Sequence, residues 1–387
     1  MLIFGTLYQQ PTIKNMMKHT LLLLSFLAVP CVVTSCKDDA APGTGTAAPG
    51  TDTAAPGTAT ATESPLDKMC EHIRMMHMST NSVIIFRTGY EGDTATLESL
   101  KDKKHIGFYC MGAAAGGNKE LVLKCLDKGA DPSRGLLGAA LGGHVDIVQL
   151  LLDKGATDYD RGLRVAARGG HMDIVQLLLS KGADPNWGLR EAAEGGHLDI
   201  VQLMLDKGAD PNWGLGGAAR GGHMDIVQLL LDKGADPNAG LRSAAWDGHM
   251  GIVQLLLDKG ADPDKGLWAA AEGGHMGIVQ LLLDKGATNY DWGLWRAAHG
   301  GHLDIVQLLL DKGADPNSGL REAADCGHLD IVQLLLDKGA TNLDSALQAA
   351  ERRYHTDCAE LIRAAALETA KTNGRKKRSK HIRASEH

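Results

Sequence analysis

The chain has no excess of positive charge. Lys and Arg total 40 against 47 Asp and Glu, for a formal net charge of −7 over 387 residues. A global basic field that would draw nucleic acid is therefore excluded. It also lacks a long apolar run. The stretch from Leu21 to Val33 is 13 residues, short of the ~20 a spanning helix needs. No Cys-x-x-Cys occurs among the 7 cysteines, and no disulfide framework is expected. Cys125 and Cys358 fall at apolar helix places, so buried thiols are expected there. No glycine-rich phosphate loop is present, because the recurring Gly-Gly-His turn reads as a helix stop. No nucleophile can be placed beside an oriented base. An enzyme, a cofactor and a small-molecule substrate are accordingly not expected.

What is present is a repeat. Its histidine returns at His144, His171, His197, His223, His249, His275, His302 and His328, at intervals of 26 or 27 residues. Asn118 stands one period before and His355 one period after. A fixed period in this range marks a solenoid. The unit at 188–212 reads as two short helices. Leu189, Ala192 and Ala193 share one face of the first, expected from about Leu189 to Glu194. Gly195 and Gly196 end it, since glycine takes the left-handed conformation of a C-cap. The second, from about Leu198 to Asp206, carries a broad stripe of Ile200, Val201, Leu203, Met204 and Leu205. One hairpin cannot bury a stripe that wide, so each unit needs stacked neighbours. Most loops read Ala-Asp-Pro-Asn, where proline presets a tight turn. Three loops, starting at Ala156, Ala287 and Ala340, are one residue longer, and small changes in stacking are expected there.

The run Gly-His-Leu-Asp-Ile-Val-Gln-Leu-(Leu/Met)-Leu-Asp-Lys-Gly-Ala-Asp-Pro-Asn resembles the second half of an ankyrin repeat. The preceding Leu-x-x-Ala-Ala resembles that family's first helix. The resemblance covers roughly residues 84–365. It implies an all-α fold, an α-solenoid of stacked helix-turn-helix repeats, and a protein-binding role. The period is about seven residues shorter than the family's ~33. The missing part is where the family builds a projecting β-hairpin, so fingerless repeats are expected. Glu191 stands at a usually apolar place, shared by Gly138, Val165, Gly217, Ser243, Ala269, Arg296 and Glu322.

The ends differ from the array. Residues 1–35 read as a signal peptide, with Lys14 and Lys18 before the apolar run. Met1, Met16 and Met17 all remain open as the start. Val33–Thr34–Ser35–Cys36 resembles a bacterial lipobox, which implies lipidation at Cys36 and a membrane tether. Lys37–Asp38–Asp39 resembles a surface-export tag, with chance solvated charges as the alternative. Residues 36–65 form a linker of Ala-Ala-Pro-Gly-Thr repeats that cannot bury a core and is expected to be disordered. Such a stalk lifts the array from an outer membrane or cell surface. Asp52–Thr53–Ala54 resembles an O-glycosylation site, and a bare linker is an equal alternative. Residues 66–107 are expected to cap the array at 108–343, and 344–367 to close it. In the N-terminal cap, 66–78 is a candidate helix and 82–90 a candidate first helix of a degenerate unit. The tail at 368–387 is basic and expected to be disordered, either solvated or touching an anionic surface. Nucleic-acid binding rests on that tail alone.

Two residue columns bear on function. The histidines are too widely spaced to share metal ions if units stack about 10 Å apart. They are read instead as helix N-terminal residues bonding nearby backbone, with His299 off the column and alone. Acids such as Glu191, Glu194, Glu272, Glu322 and Asp325 read as scattered. Aromatics make up only 4% of the chain, yet all 6 tryptophans fall in the changing parts of the repeat. Trp187, Trp213 and Trp292 precede the first-helix motif, Trp268 and Trp295 lie early in it, and Trp246 near its end. Arg190, Arg242, Arg296 and Arg321 share that face, with Arg164, Arg168 and Arg220. Trp and Arg are enriched at binding hot spots. In the ankyrin family this is the concave binding surface. These residues are therefore the candidate site for a partner protein, a host protein among the possibilities. Packing over the shortened loops is the competing role for each tryptophan. A structural spacer or coat protein without a specific partner is the alternative function.

Overall fold

The computed structural model describes Ser64, Leu66, Asp67, Met69, Cys70 and residues 79–384, with side chains as far as Lys371. The signal peptide, Cys36, the linker and most of the expected helix at 66–78 lie outside the described residues.

Each repeat is two antiparallel helices, and local sequence sets their ends. In the unit at 184–208, Asp184 caps the first helix by accepting from Asn186 N–H at 2.9 Å. Pro185 occupies the first helical position, where its missing N–H is no loss. Gly196 ends that helix at φ 77°. The second helix runs Leu198–Asp206, and Gly208 closes it at φ 88°. The Asp-Pro-Asn step is thus a helix start and not the free-standing tight turn expected. Proline's fixed φ suits both, and the Asp side chain in front of it decides for the helix.

An opening pair, α1 (Thr80–Glu91) and α2 (Thr94–Ser99), leads into α3 (Lys103–Ala115) and α4 (Lys119–Asp127). Then come α5 (Pro132–Gly142), α6 (Val145–Asp153), α7 (Tyr159–Arg168) and α8 (Met172–Ser180). Next are α9 (Pro185–Gly195), α10 (Leu198–Asp206), α11 (Asn212–Gly221) and α12 (Met224–Asp232). They are followed by α13 (Asn238–Trp246), α14 (Met250–Asp258), α15 (Asp264–Glu272) and α16 (Met276–Asp284). The array finishes with α17 (Tyr290–Gly300), α18 (Leu303–Asp311), α19 (Asn317–Cys326) and α20 (Leu329–Asp337). The closing pair is α21 (Leu343–Arg352) and α22 (Thr356–Ala384). Among the described residues there is no strand. The short loops leave no room for a hairpin finger.

Odd-numbered first helices stack on one another, and even-numbered second helices form a looser layer behind them. Leu189, Ala192, Ala193, Ile200, Val201 and Met204 are fully buried. Their equivalents join into one hydrophobic core that runs from Leu97 to Ile362. The first helices approach to backbone contact. A Cβ on Gly138 would lie 1.9 Å from the Met111 carbonyl oxygen, and one on Gly112 equally close to that of Phe86. Only a glycine tolerates that approach. Of the three longer loops, only the one after Ala156 accompanies a looser first-helix contact, between α5 and α7. Val165 stands at the contact plane there. Its β-branched bulk sits at Cβ and cannot turn aside, whereas Glu191 and Arg296 are unbranched at Cβ.

Two hydrogen-bond ladders join neighbouring units. At one end of the helix pairs, His197 Nε2 donates to the Arg168 carbonyl one unit back at 3.0 Å. His223, His249, His275 and His302 repeat this bond to Glu194, Arg220, Trp246 and Glu272 at 2.9–3.1 Å, or 2.8 Å for His275. These carbonyls lie in the last turn of a helix, where no intrahelical donor remains. The histidines therefore bond backbone, but that of the preceding unit and not of their own. At the other end, Asp210 N–H donates to Asn186 Oδ1 at 2.9 Å, and Asp236 and Asp262 donate likewise to Asn212 and Asn238.

The opening unit follows the repeat as expected, with Gly92 left-handed and Asp93 capping α2. A second core cluster of Cys70, Val83, Phe86, Met111, Ala115 and Leu137 covers this end. At the other end Cys358, Ala359 and Ile362 are buried, and Arg363 pairs with Glu351. In the tail, α22 continues to Ala384. Lys, Arg and Ala are good helix formers, and a helix already nucleated on the array propagates cheaply.

Replacing Ile200 with alanine is expected to cost about 2–5 kcal/mol, read from the urea midpoint of the full chain. Tyr354, where other units carry glycine, sits at φ 62° and is exposed. Tyr354→Gly is expected to add roughly 1 kcal/mol of stability, seen as a raised melting temperature.

Candidate functional site

The exposed face of the first helices is built from places spaced i, i+3, i+4 and i+7. In α9 these are Trp187, Arg190, Glu191 and Glu194, and the same places recur in each unit. The structure brings the candidate residues onto this one face and sorts them. Trp187, Trp213, Trp246 and Trp292 are 41%, 45%, 43% and 50% exposed. Trp268 packs against the core, and Trp295 is also half-buried.

The aromatic rings meet across unit boundaries. Trp187 and Trp213 contact edge to face with centroids 5.5 Å apart. Within α17, Trp292 and Trp295 stack at 4.7 Å. Arg296 is the hub of the C-terminal cluster. Its guanidinium lies 4.3 Å from the Trp295 centroid, 5.0 Å from Trp268 and 5.5 Å from Trp292. Arg242 covers the other side of Trp268 at 5.9 Å. Each such contact is worth about 0.5–1 kcal/mol when exposed, so Arg296 holds three rings in place. Trp268 and Trp295 pack, while the other four present about half their surface to solvent.

The acids of this face are not scattered. Arg164 and Arg168 of α7 clamp Glu191 of α9 at 2.9 and 3.3 Å, and Arg168 also reaches Glu194 at 2.9 Å. Glu191 is buried, and these two guanidiniums supply the partners that burial demands. Glu272 contacts Arg296 at 2.8 Å and His299 Nδ1 at 3.5 Å, so His299 is not alone. Arg352 and Arg353 both reach Asp325. The Arg352 hydrogen bond, helped by the charge of Arg353, holds that carboxyl below the usual carboxylate range. Arg321 lies 3.6 Å from Glu322 on its own helix. Arg190 and Arg242 are exposed and make no ion pair among the described residues.

Sequence reading missed these pairings because it compared units at the same place. The partners stand 23–27 residues apart, one unit on. Overlaying the units at that offset brings the Arg and Glu places side by side.

No chemistry is assembled here. Among the described residues, no three His, Cys, Asp or Glu side chains are placed to hold one metal ion. The column histidines spend Nε2 on backbone. Cys110 and Cys125 are fully buried free thiols in the first full unit, and contact with Cys125 together with burial pushes the Cys110 thiol well up.

Stacked helix pairs with a constant back and a variable front define an α-solenoid scaffold. The family model for ankyrin repeats in three copies matches residues 110–187, 189–266 and 241–319, and the model for a single ankyrin repeat matches 320–346. The chain belongs to the ankyrin-repeat family. Such repeats are generally protein–protein interaction modules, and no catalytic family is indicated. No curated protein matches the chain.

Trp268→Ala is expected to lower the melting temperature, because it opens a cavity under Arg296. Trp292→Ala is expected to leave it nearly unchanged. Equal losses would show that both rings are structural.

Proposed function

We propose that this chain is a membrane-tethered scaffold that binds a partner protein through the first-helix face. The observation that carries this reading is the set of four half-exposed tryptophans, Trp187, Trp213, Trp246 and Trp292, displayed on one rigid face. Exposing four large rings has no benefit for folding, and rings of this type anchor interfaces. The rigid helices beneath them reduce the ordering entropy that binding must overcome.

The tether rests on sequence. Basic residues before a short apolar run, followed by Val33–Thr34–Ser35–Cys36, fit lipidation of Cys36 and anchoring at an outer membrane or cell surface. No helix among the described residues is long and apolar enough to cross a membrane, so the lipid is the attachment this reading relies on. Cys36→Ser is expected to shift the protein from the membrane to the soluble fraction.

The binding test uses the full chain as bait against host and self lysates, beside a variant with all four exposed tryptophans changed to alanine. Partner capture is expected for the parent and lost in the variant, with helical content unchanged by circular dichroism. Retention of the same proteins by both baits would refute the face assignment. Capture of nothing by either would favour the spacer reading.

A further inference from the structure

We propose that the part of this face between Trp213 and Trp268 seats a short acidic peptide whose carboxylates alternate with apolar side chains. The inference rests on the protein-binding reading above and narrows it to one stretch and one chemistry.

The stretch has a floor of small residues. Where α9 carries Arg190 and Glu191, α11 carries Gly216 and Gly217, and α13 follows with Ser243 at the Glu191 place. The two helices adjoin closely, with the Cβ position of Gly216 only 3.8 Å from Ser243 Oγ. On either side the same places hold bulk, Arg190 and Glu191 before and Trp268 after. A trough one unit wide results, bounded by Arg242 at the Arg190 place of α13. Trp213 flanks it, while Trp246 and Trp268 wall a pocket of about 220 Å³ completed by Arg220, Arg242, Ser243 and Asp247. That is room for one large side chain.

Charge selects the occupant. Elsewhere on this face the guanidiniums face carboxylates, save Arg134, which lies over the Phe108 ring. Arg164 and Arg168 have Glu191 and Glu194, Arg296 has Glu272, and Arg352 has Asp325. At the trough the balance fails. Arg190 and Arg242 have no acid, and Arg220 approaches Asp247 only to 4.0 Å. Unanswered positive charge therefore adjoins the pocket, on a chain whose net charge is −7. A carboxylate brought in by a ligand completes the pattern the other units complete for themselves. The neighbouring acids limit the ligand. Glu191 and Glu194 lie at one edge and Glu272 at the other, each already paired with arginine, so the unpaired guanidiniums between them match a few spaced carboxylates and not a long run of negative charge. A short peptide with spaced carboxylates fits between them, placing apolar side chains on Trp213 and in the pocket.

The test is fluorescence anisotropy with the full chain and a labelled short peptide of alternating glutamate and leucine. Its glutamine counterpart, an oligothymidylate and phosphatidylglycerol vesicles serve as competing probes. The glutamate peptide is expected to bind at least about tenfold more tightly than the glutamine one, with the difference shrinking at high salt. Arg242→Gln and Ser243→Glu are each expected to weaken it by about tenfold. Ser243→Glu fills the pocket with the residue type found at the same place in Glu191 and Glu322. Arg242→Gln, at an exposed place, carries the test if that variant is unstable. Equal binding of both peptides, no binding of the glutamate peptide, indifference to Arg242→Gln, or preference for oligothymidylate or vesicles would each overturn the proposal. Lysate capture separates the two readings. If it is lost in the four-tryptophan variant but survives Arg242→Gln and Ser243→Glu, the acidic-peptide assignment falls and the protein-binding one stands. If it survives the four-tryptophan variant, both fall.

Discussion

A carbonyl left without a donor at the end of each first helix sets the register of this molecule. The helix ends before its own backbone can answer that group, and the next unit's histidine reaches back to do so. At the opposite end an Asn or Asp side chain accepts from the next loop's amide. Both bonds run from a donor in one unit to an acceptor in the unit before it, one at each end of the helix pair. Sliding or rotating a unit breaks both, and a buried or half-buried group left unpaired costs about 1–3 kcal/mol. Apolar burial pushes the units together, and these two bonds decide how they meet.

That division explains the pattern of variation along the repeat. Places that bury or bond to a neighbour hardly change. They include Leu189, the Ala192–Ala193 pair, His197, Ile200 and Val201. The i, i+3, i+7 face of the first helix is released from both duties and changes from unit to unit. Its variation is still physically coupled, because a residue there touches its counterpart in the next unit. Arg164 in one unit makes a buried Glu191 tolerable in the next, and Arg296 holds Trp268, Trp292 and Trp295 together. Gly216 and Gly217 let α11 close on the backbones of its two neighbours, with the guanidiniums of Arg190 and Arg242 at the matching places of α9 and α13.

Most of the fold was legible in one repeat of sequence. The helix bounds around Leu198–Asp206, the stops at Gly196 and Gly208, and the buried set follow from spacing and glycine chemistry alone. What was not legible depends on a second unit. The partner of His197 is a backbone atom of the preceding unit, and a single unit contains no sign of it. The start of the first helix at Pro185 was misplaced because Asp-Pro-Asn suits a turn and a capped helix equally well. Of the candidate site, the face was legible, since the tryptophans fall at the i, i+3 and i+7 places of the first helices. The division between packed Trp268 and exposed Trp292 was not. It arises from where Arg296 sits, which only the stacked arrangement fixes.

Both ladders tie a unit only to its immediate neighbours, and this shapes the response to pulling. An end unit is held from one side, so tension detaches it first and exposes an equivalent boundary behind it. Extension then proceeds as a series of similar steps, each releasing one helix pair, and slackening lets the pairs rewind in reverse order. A protein attached at one end and gripping a partner along its side would yield gradually to shear, shortening its grip unit by unit while the remaining units stay folded.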